Sequence, residues 1–260
     1  VNDVGNSRFD LFLEDGTFAG SFRRRIGSYG YSWWGGVDRN GLAYDQDYFS
    51  EGPIDRTPGV KRQAAVPRLL RFDPTGRVDS LPLPSEEAVF YRFPSGTTGV
   101  PFAGEHFAVF DPRGYVWVGT TSAYRIHQTR FSGDTVRIIE RPHRPIAVSA
   151  QERARAIEGL ERLKQRLGPA DLDYSAIPAF KPAIEALDPD DGGRLWVRPV
   201  DPGAVTVFDV FDSAGTLLAT ARAGFRVRPH RRVAVRGTMM VTVVTDSLGV
   251  DYMVIARVRP

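Results

Sequence analysis

One turn recurs along this chain and limits what it can fold into. Phe110-Asp111-Pro112-Arg113-Gly114 is echoed by Phe72-Asp73-Pro74-Thr75-Gly76 and Phe211-Asp212-Ser213-Ala214-Gly215. Looser Asp-x-x-Gly copies run from Asp38 to Gly41, Asp190 to Gly193 and Asp246 to Gly249, and a short one is Glu14-Asp15-Gly16. Asp accepts hydrogen bonds from N–H groups two residues on, Pro presets φ, and Gly takes positive φ. Between the turns lie short runs such as Tyr115-Val116-Trp117-Val118, Val205 to Val210 and Val241-Thr242-Val243. β-branched and aromatic runs bounded by turn residues are hairpin strands.

The copies fall into two classes. Those at 38, 111, 190 and 246 lead into apolar strands, whereas those at 15, 73, 133–134 and 212 follow an outgoing strand and lead to a short segment. Alternating the two classes gives four-stranded units, each with an inner and an outer hairpin. Radially repeated antiparallel sheets of this kind are β-propeller blades. A β-sandwich would also use Asp-Gly turns, but the paired Trp-Val strands and Phe-Asp-x-x-Gly echoes favour the propeller. The expectation is one all-β domain over residues 1–260. Units are expected around 38–82, 105–141 and 187–220. The N-terminal hairpin (8–22) lacks an inner pair and the C-terminal hairpin (233–258) lacks an outer one. Pairing the two would remove an exposed edge and bring the chain to about four blade equivalents.

One helix is expected over 149–167. Ser149 and Glu152 form a capping box, Gly168-Pro169 supplies the stop, and Ile157, Leu160, Leu163 and Leu167 form an apolar stripe. Residues 45–66 and 83–104 read as long polar or Pro/Gly-rich connections. Arg226 to Arg236 carries five arginines and His230. The alternating Val227, Val233 and Val235 make it a half-buried strand with a solvated face.

Composition removes several functions. With no Cys, disulfides, thiol catalysis, Cys-ligated zinc and iron–sulfur clusters are excluded. No window reaches the ~18 consecutive apolar residues of a membrane helix. The chain starts at Val1 without a signal-like apolar run, so any export signal is expected to be absent or removed. Net charge is only +3, and Lys61, Lys164 and Lys181 are the only lysines among 34 basic residues. An arginine-heavy bias of that kind gives weak support for nucleic acid as a partner.

Two places offer candidate binding residues. Tyr29-Gly30-Tyr31-Ser32-Trp33-Trp34 sets aromatics between glycines, and Tyr29, Tyr31, Trp33 and Trp34 could form a stacking platform for a sugar or base. A Gly-broken inner strand packed between blades explains the same pattern. Glu105 and His106, at the start of an inner strand, are the best-placed polar pair. His106, His127, His143 and His230 show no metal-binding spacing. There is no nucleophile elbow, phosphate loop or dinucleotide fingerprint, so no catalytic residue and no cofactor is assigned.

A resemblance adds to this reading. Phe110 to Gly119 with Tyr124-Arg125-Ile126, and Pro178 to Ile184 running into Asp191 to Val197, resemble the C-terminal blades of bacterial six-bladed propellers of the NHL-repeat and TolB-like kind. The opening Asp3-Val4-Gly5-Asn6-Ser7-Arg8-Phe9 is similar to that family's blade signature. The resemblance implies a periplasmic or secreted protein and an N-terminally incomplete chain, and it brings no catalytic residues. Propeller lactonases hold a divalent cation such as Ca²⁺ in the channel with Glu, Asn and Asp oxygens, and this chain has only Asn2, Asn6 and Asn40. The preferred function is a non-enzymatic binding propeller for a protein, peptide or glycan. The alternative is a metal-assisted hydrolase or lyase in the channel.

Overall fold

The computed structural model describes residues 2–259 apart from 4–5, 7, 14, 24–35, 51–54, 74, 76, 84–85 and 229–230. The described strands form antiparallel sheets that follow one another in chain order. The first holds β1 (Asn2–Asp3), β2 (Arg8–Phe12) and β3 (Phe18–Arg23). The second holds β4 (Gly36–Val37), β5 (Ala43–Ser50), β6 (Gly59–Phe72), β7 (Val78–Pro82), β8 (Glu86–Phe93) and β9 (Gly96–Gly99). The third is β10 (His106–Phe110), β11 (Tyr115–Thr120), β12 (Arg125–Arg130) and β13 (Thr135–Glu140). After the helix α1 (Ala150–Leu167), the fourth is β14 (Ile184–Pro189), β15 (Leu195–Pro199), β16 (Val207–Phe211) and β17 (Leu217–Arg222). The fifth is β18 (Val233–Arg236), β19 (Met239–Thr245) and β20 (Asp251–Arg257).

Successive sheets pack face to face through apolar layers. Tyr44 and Leu69 of the second meet Phe110, Val116 and Val118 of the third. Trp117 and Ile126 of the third meet Leu187, Leu195 and Val197 of the fourth. Trp196 and Phe208 of the fourth meet Val233, Val235 and Met240 of the fifth. The first strands β10, β14 and β18 lie beside one another, so they are the inner strands and the fold is propeller-like all-β.

The recurrent aspartates explain the inner hairpins. Asp111 is buried and accepts from the Arg113 backbone N–H (2.9 Å), from the Arg113 guanidinium (3.0 and 2.7 Å) and from Trp117 Nε1 (3.3 Å). Asp190 repeats the pattern with the Arg194 backbone (2.8 Å), the Arg194 guanidinium (2.6 Å) and Trp196 Nε1 (3.1 Å). At Asp38 the Tyr44 hydroxyl takes the place of the indole, at 2.8 Å. Gly41, Gly114 and Gly193 close these turns at φ of 76, 85 and 88°, where a Cβ would be strained. The turns also gather at one end of the sheets. The Arg39 backbone N–H donates to the Pro112 carbonyl (2.9 Å), and its guanidinium donates to the Asp191 carbonyl. Arg194 donates to the Gly237 carbonyl at 3.0 Å.

The second class of turn is shallower. Asp73 and Asp212 are only half-buried, and each uses one carboxylate oxygen to accept the N–H groups two and four residues on. Asp246 also behaves this way, although by sequence its turn belongs with those at 38, 111 and 190 that lead into apolar strands.

Two sequence expectations are corrected. The segments 45–66 and 83–104, read as connections, are largely strand. β5 and β6 pair from Ala43↔Phe72 to Ser50↔Ala65, and β8 and β9 extend the same sheet. A polar run carrying Pro53, Pro58 and Gly59 reads as a loop. Here the missing N–H of Pro67 falls where β6 changes partner, from β8 (ending at Ala65↔Glu86) to β7 (starting at Arg68↔Pro82). Second, the terminal hairpins do not share a sheet among the described residues. The segment 8–22 belongs to the first sheet and packs Phe9 on Leu70 and Phe72, whereas 233–258 forms the fifth. Of the half-buried strand expected over Arg226 to Arg236, only Val233–Arg236 is strand among the described residues, with both of its valines buried.

Helix α1 starts and stops as the sequence predicts. Ser149 accepts from the Glu152 N–H (3.2 Å), and Glu152 accepts from the Ser149 N–H (3.0 Å). Lys181 adds an ion pair to Glu152 at 2.5 Å and, with the capping bonds, holds that carboxyl down at about 2. Ile157, Leu160, Leu163 and Leu167 pack on Tyr91 and Phe93 of β8, so the helix covers the added part of the second sheet. Ser149→Ala removes one cap acceptor and is expected to cost about 1 kcal/mol, measured as a shift in the urea unfolding midpoint.

Candidate functional site

Period-two alternation places one set of side chains on the face of the third sheet that looks toward the second. The register His106↔Thr120, Ala108↔Val118 and Phe110↔Val116 puts His106 on that face. Val118↔His127 and Val116↔Thr129 then add His127 and Thr129. Toward the 111–114 turn this face is filled by Phe110, Val116 and Val118. Toward the other end it opens into a crevice of about 310 Å³, floored by Leu81, Leu83 and Val118 and edged by His106, Thr120, Arg125 and His127. Gly119 allows the three strands to come this close. A Cβ there would sit 2.7 Å from the Arg125 carbonyl and 2.8 Å from the Phe107 ring.

Arg125 and His127 supply the donors at the crevice edge. Thr120 shares a hydrogen bond with Ser122 at 2.9 Å, and Thr129 donates to the Val116 carbonyl at 3.3 Å. Among the described residues Arg125 has no carboxylate partner, and no acidic side chain lines the crevice. Of the sequence-derived pair, His106 reaches the crevice, while Glu105 is exposed and uses its backbone N–H on Thr121 Oγ1 at 2.8 Å. The structure therefore separates the two. Tyr29, Tyr31, Trp33 and Trp34 lie outside the described residues. Arg125, His127 and Thr120 were missed. The available signal was register, because His106 and His127 share a face only once β10, β11 and β12 are aligned.

The buried acids serve the scaffold. Asp209 accepts from Tyr124 (2.8 Å), Thr220 (2.8 Å) and Arg141 (2.5 Å), tying the third sheet to the fourth. Burial, then the bond to Asp209, pushes the Tyr124 hydroxyl well above its usual range. Among the described residues no three His, Asp or Glu side chains come together as a metal site, and no helix is long and apolar enough to cross a membrane.

No family model matches the sequence, and no curated protein matches it either. Among solved structures, a catalytically inactive variant of virginiamycin B lyase from Staphylococcus aureus, with quinupristin, aligns at 9% identity and TM-score 0.37, over 95% of this chain and 77% of that one. A protein of unknown function from Bacteroides caccae aligns at 9% identity and TM-score 0.30, over 95% and 69% of the two chains.

Proposed function

We propose that this is a non-enzymatic binding propeller whose crevice between the second and third sheets takes a carboxylate-bearing glycan. One observation carries the reading: the Arg125 guanidinium, the His127 imidazole and the Thr120 hydroxyl edge an apolar floor in about 310 Å³, with no acidic lining among the described residues. Sugar hydroxyls need partners that both donate and accept, which Thr and His side chains supply. A carboxylate is matched by the arginine fork. The C–H face of a sugar ring packs on Leu81, Leu83 and Val118, and the volume lies at the small end of ligand sites. Membership of the six-bladed NHL-repeat and TolB-like propellers, and export with them, belong to the same proposal and rest on the sequence resemblance.

Calorimetric titration of glucuronate and galacturonate, with glucose as the neutral control, tests the reading. The uronates are expected to bind, and Arg125→Ala to weaken them about tenfold or more, the value of a lost charged hydrogen bond. Equal affinity for glucose, or uronate affinity unchanged in Arg125→Ala, would overturn the acidic-glycan assignment. Chemical conversion of the bound sugar would overturn the non-enzymatic one.

A further inference from the structure

We infer that the outer edge of the fifth sheet is a docking site for an extended, acidic and apolar segment of a partner polypeptide, which adds to β20 as a fourth strand. The third and fourth sheets each have four strands, whereas among the described residues the fifth stops at β20. The Val258 N–H donates to the Thr238 carbonyl at 2.7 Å, which fixes the hydrogen-bonding phase of the pair. With the register Met240↔Ala256 and Thr242↔Val254, the amides of Val254 and Ala256 face β19. Those of Met253, Ile255 and Arg257 face outward. This edge is apolar, with Met253 67% and Ile255 62% exposed, and such an edge is a template for strand addition.

The neighbouring sheet leaves room for the added strand. In the preceding step of the stack, Arg137 and Ile139 of the outer strand β13 lie against Gly215, in the outer turn of the fourth sheet. One step on, among the described residues, β17 has no such counterpart: a Cβ on Gly249, in the 246–249 turn of the fifth sheet, would meet nothing within 4 Å. Its small residues Ala219 and Ala221 border a groove of about 420 Å³ that runs to Met240 and Ala256 of the fifth sheet. Valine-sized side chains at alternate positions of a fourth strand point into that groove. Charge identifies the rest of the partner. Arg222, Arg257 and Arg259 border the groove, and no carboxylate does among the described residues, so acidic residues between and beside the apolar ones are the complement.

The test uses a fluorescein-labelled peptide of about seven residues alternating Glu and Val, a Lys/Val counterpart, and fluorescence anisotropy. The Glu/Val peptide is expected to bind at least about tenfold tighter than the Lys/Val one. Ile255→Pro removes an outward N–H that β19 does not use and is expected to lose binding while the β19–β20 ladder stays intact. Arg222→Glu leaves the edge untouched and is expected to weaken binding about tenfold, so a failure of the proline variant to fold does not decide the matter. Hydrogen exchange at Met253, Ile255 and Arg257 should be fast in the free protein and slow in the complex. Equal affinity for both peptides, no binding at millimolar concentration, or full affinity in Ile255→Pro and Arg222→Glu overturns the inference. Slow exchange at these amides in the free monomer shows that the chain covers its own edge, and slow exchange with a dimer mass shows that a second copy does. Either result overturns it too.

Discussion

Arg198→Ala is expected to lower stability by about 3–5 kcal/mol, the cost of removing one partner of a buried ion pair. Arg198 and Asp188 are 1% and 5% exposed, with Nε and Oδ2 at 3.3 Å. That spacing is an ion-pair contact without hydrogen-bond alignment. Other groups fix each partner: Arg198 donates to the Arg231 carbonyl at 2.6 Å, and Asp188 accepts from the Val233 N–H at 3.0 Å. The pair therefore links the inner strand of the fourth sheet to the entry of the fifth. Burial already pushes the Asp188 carboxyl above its ordinary value, against the pull of Arg198. Without the guanidinium it rises further. A carboxyl raised in the folded state binds more protons there than in the unfolded chain, so stability falls as pH rises through that range. The Arg198→Ala deficit should thus be largest near neutral pH and shrink on acidification. Adding Asp188→Asn should recover most of it, because the amide keeps an acceptor for Val233 and carries no charge. Urea denaturation of the single and double variants measures both. A deficit under about 1 kcal/mol, or one independent of pH, would show that the pair is not desolvated.

Asp111→Ala is expected to cost about 3 kcal/mol, whereas Asp212→Ala should stay within about 1 kcal/mol. Both residues open an Asp-x-x-Gly turn of the same sequence type. Asp111 is 1% exposed and accepts from a backbone N–H, a guanidinium and the indole of Trp117, itself fully buried. Removing the carboxylate leaves that buried indole N–H without a partner and breaks the ion pair of the half-buried Arg113. Asp212 accepts only backbone N–H groups that water can reach. Equal losses in the two variants, measured by the same unfolding experiment, would refute the division into two classes of turn.

The inner turns and α1 were legible because their determinants are local. Asp111 reaches residues two and six positions away, and Ser149 and Glu152 cap each other across three. The crevice was legible only in part. His106 stands at a strand start and invites attention, but His127 becomes its neighbour only through the β10–β11–β12 register. The loop assignments of 45–66 and 83–104 failed for a related reason. β6 is polar at Lys61, Arg62 and Gln63, and is strand because β5 and β8 flank it.

By itself the sequence determined the strand–turn–strand rhythm, the one amphipathic helix and the all-β class, since backbone sterics, turn chemistry and side-chain alternation act over a few residues. Tertiary structure alone decided that, among the described residues, the terminal hairpins lie in separate sheets, and that Arg125, His127 and Thr120 share a crevice with His106. Those outcomes depend on which faces bury one another and in what register. Pairings of that kind are settled by competition among segments far apart in the chain.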